Sequence, residues 1–447
     1  MNLWNEQPFT KSLLVVFAVA LLLPITASGQ QRQLTLDECI AKALDTDVSV
    51  IQAKSSYKQS EAGVMSAWGA FLPNLNLDLR RGYTQTNHST VYDYGALIIR
   101  DTSYTEDSHS FSWGLSSSIN LFNGFGKFNY LSLSRAYRDS KLHQLSETEL
   151  NTVYEVKSGF FGLLQAQALL EIQRKALERS QELMKISETK YELGSASLSE
   201  VLKAKVSLAQ AQLDLLAAEN NVRTSMANLN YAIGQPIDQE IAVADTDIPD
   251  FELSQDQITT AALQQNPSFQ SAEADLRYAK SNLKYARRSY LPSVDVSFSR
   301  GWSRNKSNQW QVEDWLKNDD YSISGLVSLN LFNGFSTKAE TDRAKATLHS
   351  AEYQLHDREN WVRLEVRESY LNLQEKAKAR ELADEKYASA SEDYKLAQER
   401  YTLGAATILD ILDAEVSLKS AESDKIESKY NYYLAIARIQ KAMGIVK

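Results

Sequence analysis

One hexapeptide occurs twice in this chain of 447 residues, and its spacing constrains the fold more than any other feature. Asn120-Leu-Phe-Asn-Gly-Phe125 returns as Asn330-Leu-Phe-Asn-Gly-Phe335, an offset of 210. The same offset carries Tyr191-Glu-Leu-Gly194 onto Tyr401-Thr-Leu-Gly404, and Ala232-Ile-Gly234 onto Ala442-Met-Gly444, with no insertion or deletion. Upstream, Phe71-Leu-Pro73 matches Tyr290-Leu-Pro292, and Arg81-Gly82-Tyr83 matches Arg300-Gly301-Trp302, at an offset of 219. Repetition at this scale means one supersecondary unit used twice. The chain divides into a leader at 1–29, a first repeat at 30–234, a linker at 235–253 holding Pro236 and Pro249, and a second repeat at 254–447.

The leader reads as a secretion signal. Lys11 supplies positive charge, Leu13 to Ile25 is apolar, and Ala27-Ser28-Gly29 offers small residues before Gln30. Thirteen apolar residues reach only about 20 Å, too short for a hydrocarbon core of about 30 Å. The mature chain is therefore expected outside the cytoplasm.

Within each repeat the pattern predicts a helix, two strands and two very long helices. Only 7 prolines and 17 glycines interrupt the chain, and none of the prolines falls between Gly126 and Leu193 or between Ser336 and Leu403. Each of these segments is rich in strong helix formers and would extend about 100 Å. Val362, Val366, Tyr370, Leu373 and Ala377 form an apolar stripe at helical spacing, matched in the first copy by Val156, Phe160 and Leu163. Such a stripe fits either a soluble coiled coil or a helical tunnel.

The strands discriminate between the two. Leu75, Leu77 and Leu79 alternate with polar residues, as do Val294, Val296 and Phe298 in the second copy. The second strand of each pair carries Phe111, Trp113, Leu115, Ile119 and Leu121, or Tyr321, Ile323, Val327, Leu329 and Leu331. A period of two over about ten residues fits strands with lipid on one face and water on the other. Tyr83, Trp302, Phe122 and Phe332 supply aromatic ends. A surface sheet on a secreted or periplasmic coiled-coil scaffold is the alternative. Four strands cannot sit in a bilayer with open edges, because each unpaired backbone group in hydrocarbon costs several kcal/mol. Two chains would give eight strands and a filled interior; three would give twelve and room for a lumen.

Other functions find no support in the composition. A net charge of −9 argues against nucleic-acid binding, and one cysteine, Cys39, excludes a disulfide framework. No catalytic constellation, metal set or cofactor motif is present: Gly124-Phe-Gly126-Lys127 is only a turn fragment, and His349 and His356 lack a third ligand.

Taken together, these residues resemble the TolC-like outer-membrane efflux protein family. The resemblance rests on the opening Leu34-Thr-Leu-Asp-Glu-Cys-Ile-Ala-Lys-Ala-Leu44, the Asn266-Pro267 pair, the Leu-Pro strand starts and both Leu-Phe-Asn-Gly-Phe segments. It extends to Tyr401-Thr-Leu-Gly404 followed by Ile408-Leu-Asp-Ile-Leu-Asp413. It implies an α+β membrane protein, a homotrimer in which four strands per chain form a twelve-stranded transmembrane β-barrel continuing into a long α-helical periplasmic tunnel. It further implies an exit duct without cofactors, surrounded by outer-membrane lipid and joined to a periplasmic adaptor and an inner-membrane transporter.

Gly194 and Gly404 fit the C′ positions that end long helices, with Ser197 and Thr407 placed to cap the returning helices and Glu200 and Asp410 at N3. These tips are the expected adaptor-docking points. Asp413 lies one turn beyond Asp410, so a three-fold assembly would present two rings of carboxylates, some of them expected to titrate upward. By resemblance these rings and Glu200 belong to the pore gate, and Tyr401 matches a position that helps hold it shut. Ala406 stands where the family often has an arginine.

Overall fold

The computed structural model describes residues 33–93, 98–306 and 319–445. The expected leader at 1–29 lies outside the described residues. The first repeat contributes α1 (Leu36–Thr46), α2 (Val48–Gly69), β1 (Asn74–Asp93), β2 (Ile98–Asn123), α3 (Gly126–Glu192) and α4 (Leu198–Ala232). The second contributes α5 (Gln255–Gln265), α6 (Pro267–Ala286), β3 (Ser293–Lys306), β4 (Asp320–Ser328), α7 (Ser336–Thr402) and α8 (Ile408–Met443).

The first helix of each repeat is two helices rather than one. Asp47 and Asn266 adopt extended backbone and act as N-caps. Asp47 Oδ1 accepts from the amides of Ser49 and Val50, and Asn266 Oδ1 from those of Ser268 and Phe269. Pro267 then takes the first helical position, where its missing N–H costs nothing.

The long helices α3 and α7 are each 67 residues, about 100 Å, and their antiparallel partners α4 and α8 are 35 and 36 residues. The central core lies where both repeats meet. Val156, Phe160 and Leu163 of α3 pack in one cluster with Val362, Val366 and Leu373 of α7, Leu229 and Ile233 of α4, and Ile436 and Ile439 of α8. The stripe seen in the sequence is therefore the seam between hairpins. Ile258 and Ala262 of α5 and Cys39 and Ala43 of α1 close the cluster from the side. No described helix is long and apolar enough to cross a membrane.

The four strands form one antiparallel sheet in the order β1-β2-β3-β4. Its register sorts the side chains. Leu77 stands opposite Leu115 and Leu79 opposite Trp113, while Val296 faces Ile119, Phe298 faces Ile323 and Val294 faces Val327. Because residues directly opposite share a face, Leu75, Leu77, Leu79, Phe111, Trp113, Leu115, Val294, Val296, Phe298, Ile323 and Val327 all lie on one side. The first charges on that side are the repeat-related Arg81 and Arg300. The other side is polar: Ser297–Ser324 and Ser299–Ser322 hydroxyl pairs bridge β3 and β4 at 2.7 and 2.9 Å, and Asn120 donates to Asp295 at 2.8 Å.

Two details differ from the sequence reading. The ladder shifts between Asn120 and Phe122, so Leu121 is the extra residue of a bulge and Phe122, opposite Val294, joins the apolar side. Leu329 and Leu331 do not belong to a strand: β4 ends at Ser328, opposite Ser293. The residue before Ser293 is Pro292, which has no N–H to extend the ladder.

Candidate functional site

The ends of the two long hairpins, α3–α4 and α7–α8, carry the gate and docking residues expected from the sequence. Both turns are glycine-dependent. Gly194 and Gly404 have φ of 74° and 77°, a left-handed region that L side chains avoid. The turns close identically, with Ser195 N donating to Lys190 O at 2.8 Å and Ala405 N to Arg400 O at 2.7 Å. A Cβ added at either glycine would meet no atom within 4 Å. Only the backbone, not space, demands glycine there.

Both returning helices start with a capping box. Ser197 N donates to Glu200 Oε1 at 3.3 Å, and Thr407 N to Asp410 Oδ2 at 2.7 Å. The bond from the Thr407 amide, with its hydroxyl, holds the Asp410 carboxyl below the usual range. Within one protomer this is opposite to the upward titration expected for a ring of like charges. Asp413 is exposed on the same side as Asp410, whereas Ile411 is buried and Leu412 half-buried.

Tyr401 is 2% exposed and is held by α3 as much as by its own helix α7. Its hydroxyl lies 3.2 Å from Ser187 Oγ on α3. Lys190 Nζ sits 3.9 Å from the centre of its ring and also donates to the Tyr401 carbonyl. Around it, Leu183 of α3 and Ala204 of α4 pack against Tyr394, Ile408, Ile411, Ala414 and Leu418 of the second hairpin, with Ala406 at the margin. Desolvation raises the pKa of the Tyr401 phenol, in keeping with its burial against α3. Glu200, Asp410 and Asp413 do not join this buried cluster; all three lie toward the surface.

Several residues of this site escaped the sequence. Ser187 and Lys190 pair with Tyr401 from more than two hundred positions away, and no local pattern marks them. Glu415 did leave a signal: it occupies the apolar stripe Ile408, Ile411, Leu418 of α8 at helical spacing, and a carboxylate there must be buried.

A sheet apolar on one face and hydroxyl-lined on the other, continuous with two hairpins about 100 Å long, defines a membrane channel with a helical tunnel. Comparison with known proteins agrees. Residues 39–235 and 258–445 match the family described as outer membrane efflux protein. The chain is 23% identical to the outer membrane protein TolC of Vibrio cholerae over 97% of its own length and 95% of that protein's. It is also 23% identical to the alkaline protease secretion protein AprF of Pseudomonas aeruginosa, over 88% of this chain and 82% of that one. The solved structure of the outer membrane protein VceC from Vibrio cholerae superposes with a TM-score of 0.75 at 18% identity, covering 92% of this chain and 96% of that one. The chain belongs to the outer membrane efflux protein family. It is an outer-membrane exit duct for efflux or secretion, with the TolC-like architecture of β-barrel and α-helical tunnel.

Proposed function

We propose that three copies of this chain close their sheets into one twelve-stranded pore, and that a periplasmic adaptor opens it while an inner-membrane transporter energises export. The observation that carries this reading is the register: from Leu75 to Leu79, Phe111 to Leu115, Val294 to Phe298 and Ile323 to Val327 the alternate apolar side chains share one face, Ser117 among them, while the other face is mostly serine and asparagine, with Leu326 the apolar exception. The outer edges of β1 and β4 then need partners, since open edges in hydrocarbon are prohibitive. Pairing β4 of one chain with β1 of the next satisfies both, and three copies leave a lumen lined by the serine face.

In this arrangement the Gly194 and Gly404 tips form the far end of the tunnel and receive the adaptor. Tyr401 holds the α7–α8 hairpin closed against α3, and Asp410 and Asp413, with Glu200 on the α3–α4 hairpin, set the charge of the entrance. The family's secretion and efflux members differ in cargo, which suits a passive duct whose transporter selects the substrate.

The test is the mass of the purified protein in mild detergent, where three chains are expected. Leu77→Arg places a charge in the middle of the apolar face, at a cost of about 2–4 kcal/mol per chain near the bilayer midplane. It should abolish assembly. A monomeric or dimeric wild type, or a Leu77→Arg protein that assembles normally, refutes the pore.

A further inference from the structure

Two turns into α8, the seam between the hairpins contains a cluster of charges rather than a continued apolar stripe. Glu415 is 7% exposed, and its Oε1 accepts a hydrogen bond from Ser180 Oγ of α3 at 3.3 Å. Beside it, Arg179 of α3 donates to both carboxylate oxygens of Glu422 on α8, at 3.0 and 3.4 Å. The same guanidinium lies 5.8 Å from the ring of Tyr394 on α7. Lys419 of α8 is ion-paired with Asp214 of α4. Four helices from both hairpins meet here.

The arrangement leaves Glu415 underprovided. Both cations are bonded to other carboxylates, so its direct hydrogen-bond partner is one hydroxyl. The charged groups that act on it are Arg179 of α3 and Lys419 of its own helix; their partners Glu422 of α8 and Asp214 of α4, and Glu182 of α3, which with Glu422 acts on Tyr394, complete the cluster. Tyr394, the titratable group from α7, is pushed up to about 12 by burial and stays neutral. Arg179 and Lys419 are each paired with another carboxylate, Glu422 and Asp214, and with Glu182 also in the cluster an ionised Glu415 adds an unmatched negative charge to a buried seam. Burial raises the Glu415 pKa, against the opposing effects of Arg179, Ser180 and Lys419.

We propose that Glu415 makes the closed tunnel end proton-sensitive: its protonated form locks the two hairpins together, and its ionised form, hydrated as they part, favours opening. The inference rests on the reading of the hairpin ends as a gate. The sign follows from linkage. The closed seam holds the proton more tightly than the hydrated open state, so acid favours closure, and that contribution is lost as pH rises through the closed-state pKa.

The experiment is single-channel recording of the purified full-length protein in planar bilayers, stepping the periplasmic side from about pH 8 to about pH 5, a range that brackets a raised carboxyl. Open probability of the wild type should fall on acidification, by at most about tenfold per pH unit per protomer for one proton each. Glu415→Gln keeps the shape of the protonated form and should stay at the acid level throughout. Ser180→Ala, a mild substitution, removes a bond that favours the ionised form and should move the midpoint to higher pH. A flat wild-type profile overturns the proposal, as does a Gln variant that keeps the wild-type profile or a Ser180→Ala midpoint that does not rise. If Glu415→Gln fails to assemble, the Ser180→Ala midpoint decides alone. A protein that conducts at no pH overturns the channel reading and this inference together, whereas steady conduction without pH response overturns the role of Glu415 only.

Discussion

Tyr401 and Ser187 stand 214 residues apart in sequence and 3.2 Å apart in the folded protomer, hydroxyl to hydroxyl. Ser187 is fully buried, so removing its partner leaves a polar group without compensation, at about 1–3 kcal/mol. Tyr401→Phe keeps the ring and its contact with Lys190, and deletes only that bond. The closed state should weaken by at least about fivefold per protomer, since about 1.4 kcal/mol is tenfold. Closed-channel leak in bilayers measures it. Adding Ser187→Ala should recover part of the loss, because the stranded hydroxyl is then gone. A double variant as leaky as the sum of the singles excludes a direct bond.

Phe125 and Phe335 form a second related pair. Among the described residues they alone combine a side chain with positive φ, at 63° and 66°. Each starts a long helix after Gly124 or Gly334, and each packs edge-on against the phenylalanine three residues before it, at 5.2 and 5.3 Å. A left-handed residue with a Cβ costs about 1–2 kcal/mol. That this strain recurs in both copies means the ring must offset it, where the sheet passes into the tunnel. Phe335→Ala loses the ring and keeps the strain; Phe335→Gly loses both. Both variants should dissociate at lower temperature than wild type, with Gly above Ala by about 1 kcal/mol. A Gly variant more heat-resistant than wild type would show that the ring does not offset the strain.

Much of this architecture was legible because it is periodic. The duplication at 210 residues gave the element order, and the alternation of Leu75, Leu77, Leu79 with polar neighbours gave a shared apolar face that the register assembles across the sheet. What remained hidden depends on single residues or distant pairs. Asp47 breaks a helix by accepting two amides, without the proline that marks the same break at Asn266. The bulge at Leu121 shifts the ladder where the sequence alternation of Ile119 and Leu121 gives no sign of it. The cluster of Arg179, Asp214, Glu415, Lys419 and Glu422 arises only when two hairpins pack, so its members read locally as ordinary charged helix positions, Glu415 excepted.

Docking at the tips has its own test. At Gly404 a side chain would meet empty space, so Gly404→Trp costs only backbone strain, about 1–2 kcal/mol. The hairpin should fold, and the indole would project from the surface proposed for the adaptor. Trimer yield should match wild type while export falls and adaptor cross-linking is lost. Normal export from a normally assembled Gly404→Trp protein places the adaptor elsewhere.

The charge of the entrance can be separated from its packing. Asp410 is drawn into its capping box, which holds its carboxyl below the usual range; Asp413, one turn on, is exposed on the same side. In a trimer these carboxylates should make the closed conductance cation-selective and open to block by multivalent cations from the periplasmic side. The depressed pKa fixes the acid limit: stability or charge contributed by such a group is present above the usual carboxyl range and lost only as pH falls through the lower value. Block should therefore persist at about pH 5, above the ordinary aspartate range. Asp410→Asn retains an acceptor for the Thr407 amide while removing the charge, so the helix start is kept. Asp410→Asn with Asp413→Asn should abolish block and weaken selectivity without affecting outer-membrane insertion. If block survives in that double variant at wild-type strength, the carboxylates are a solvated face and the constriction is set by the packing around Tyr401 alone.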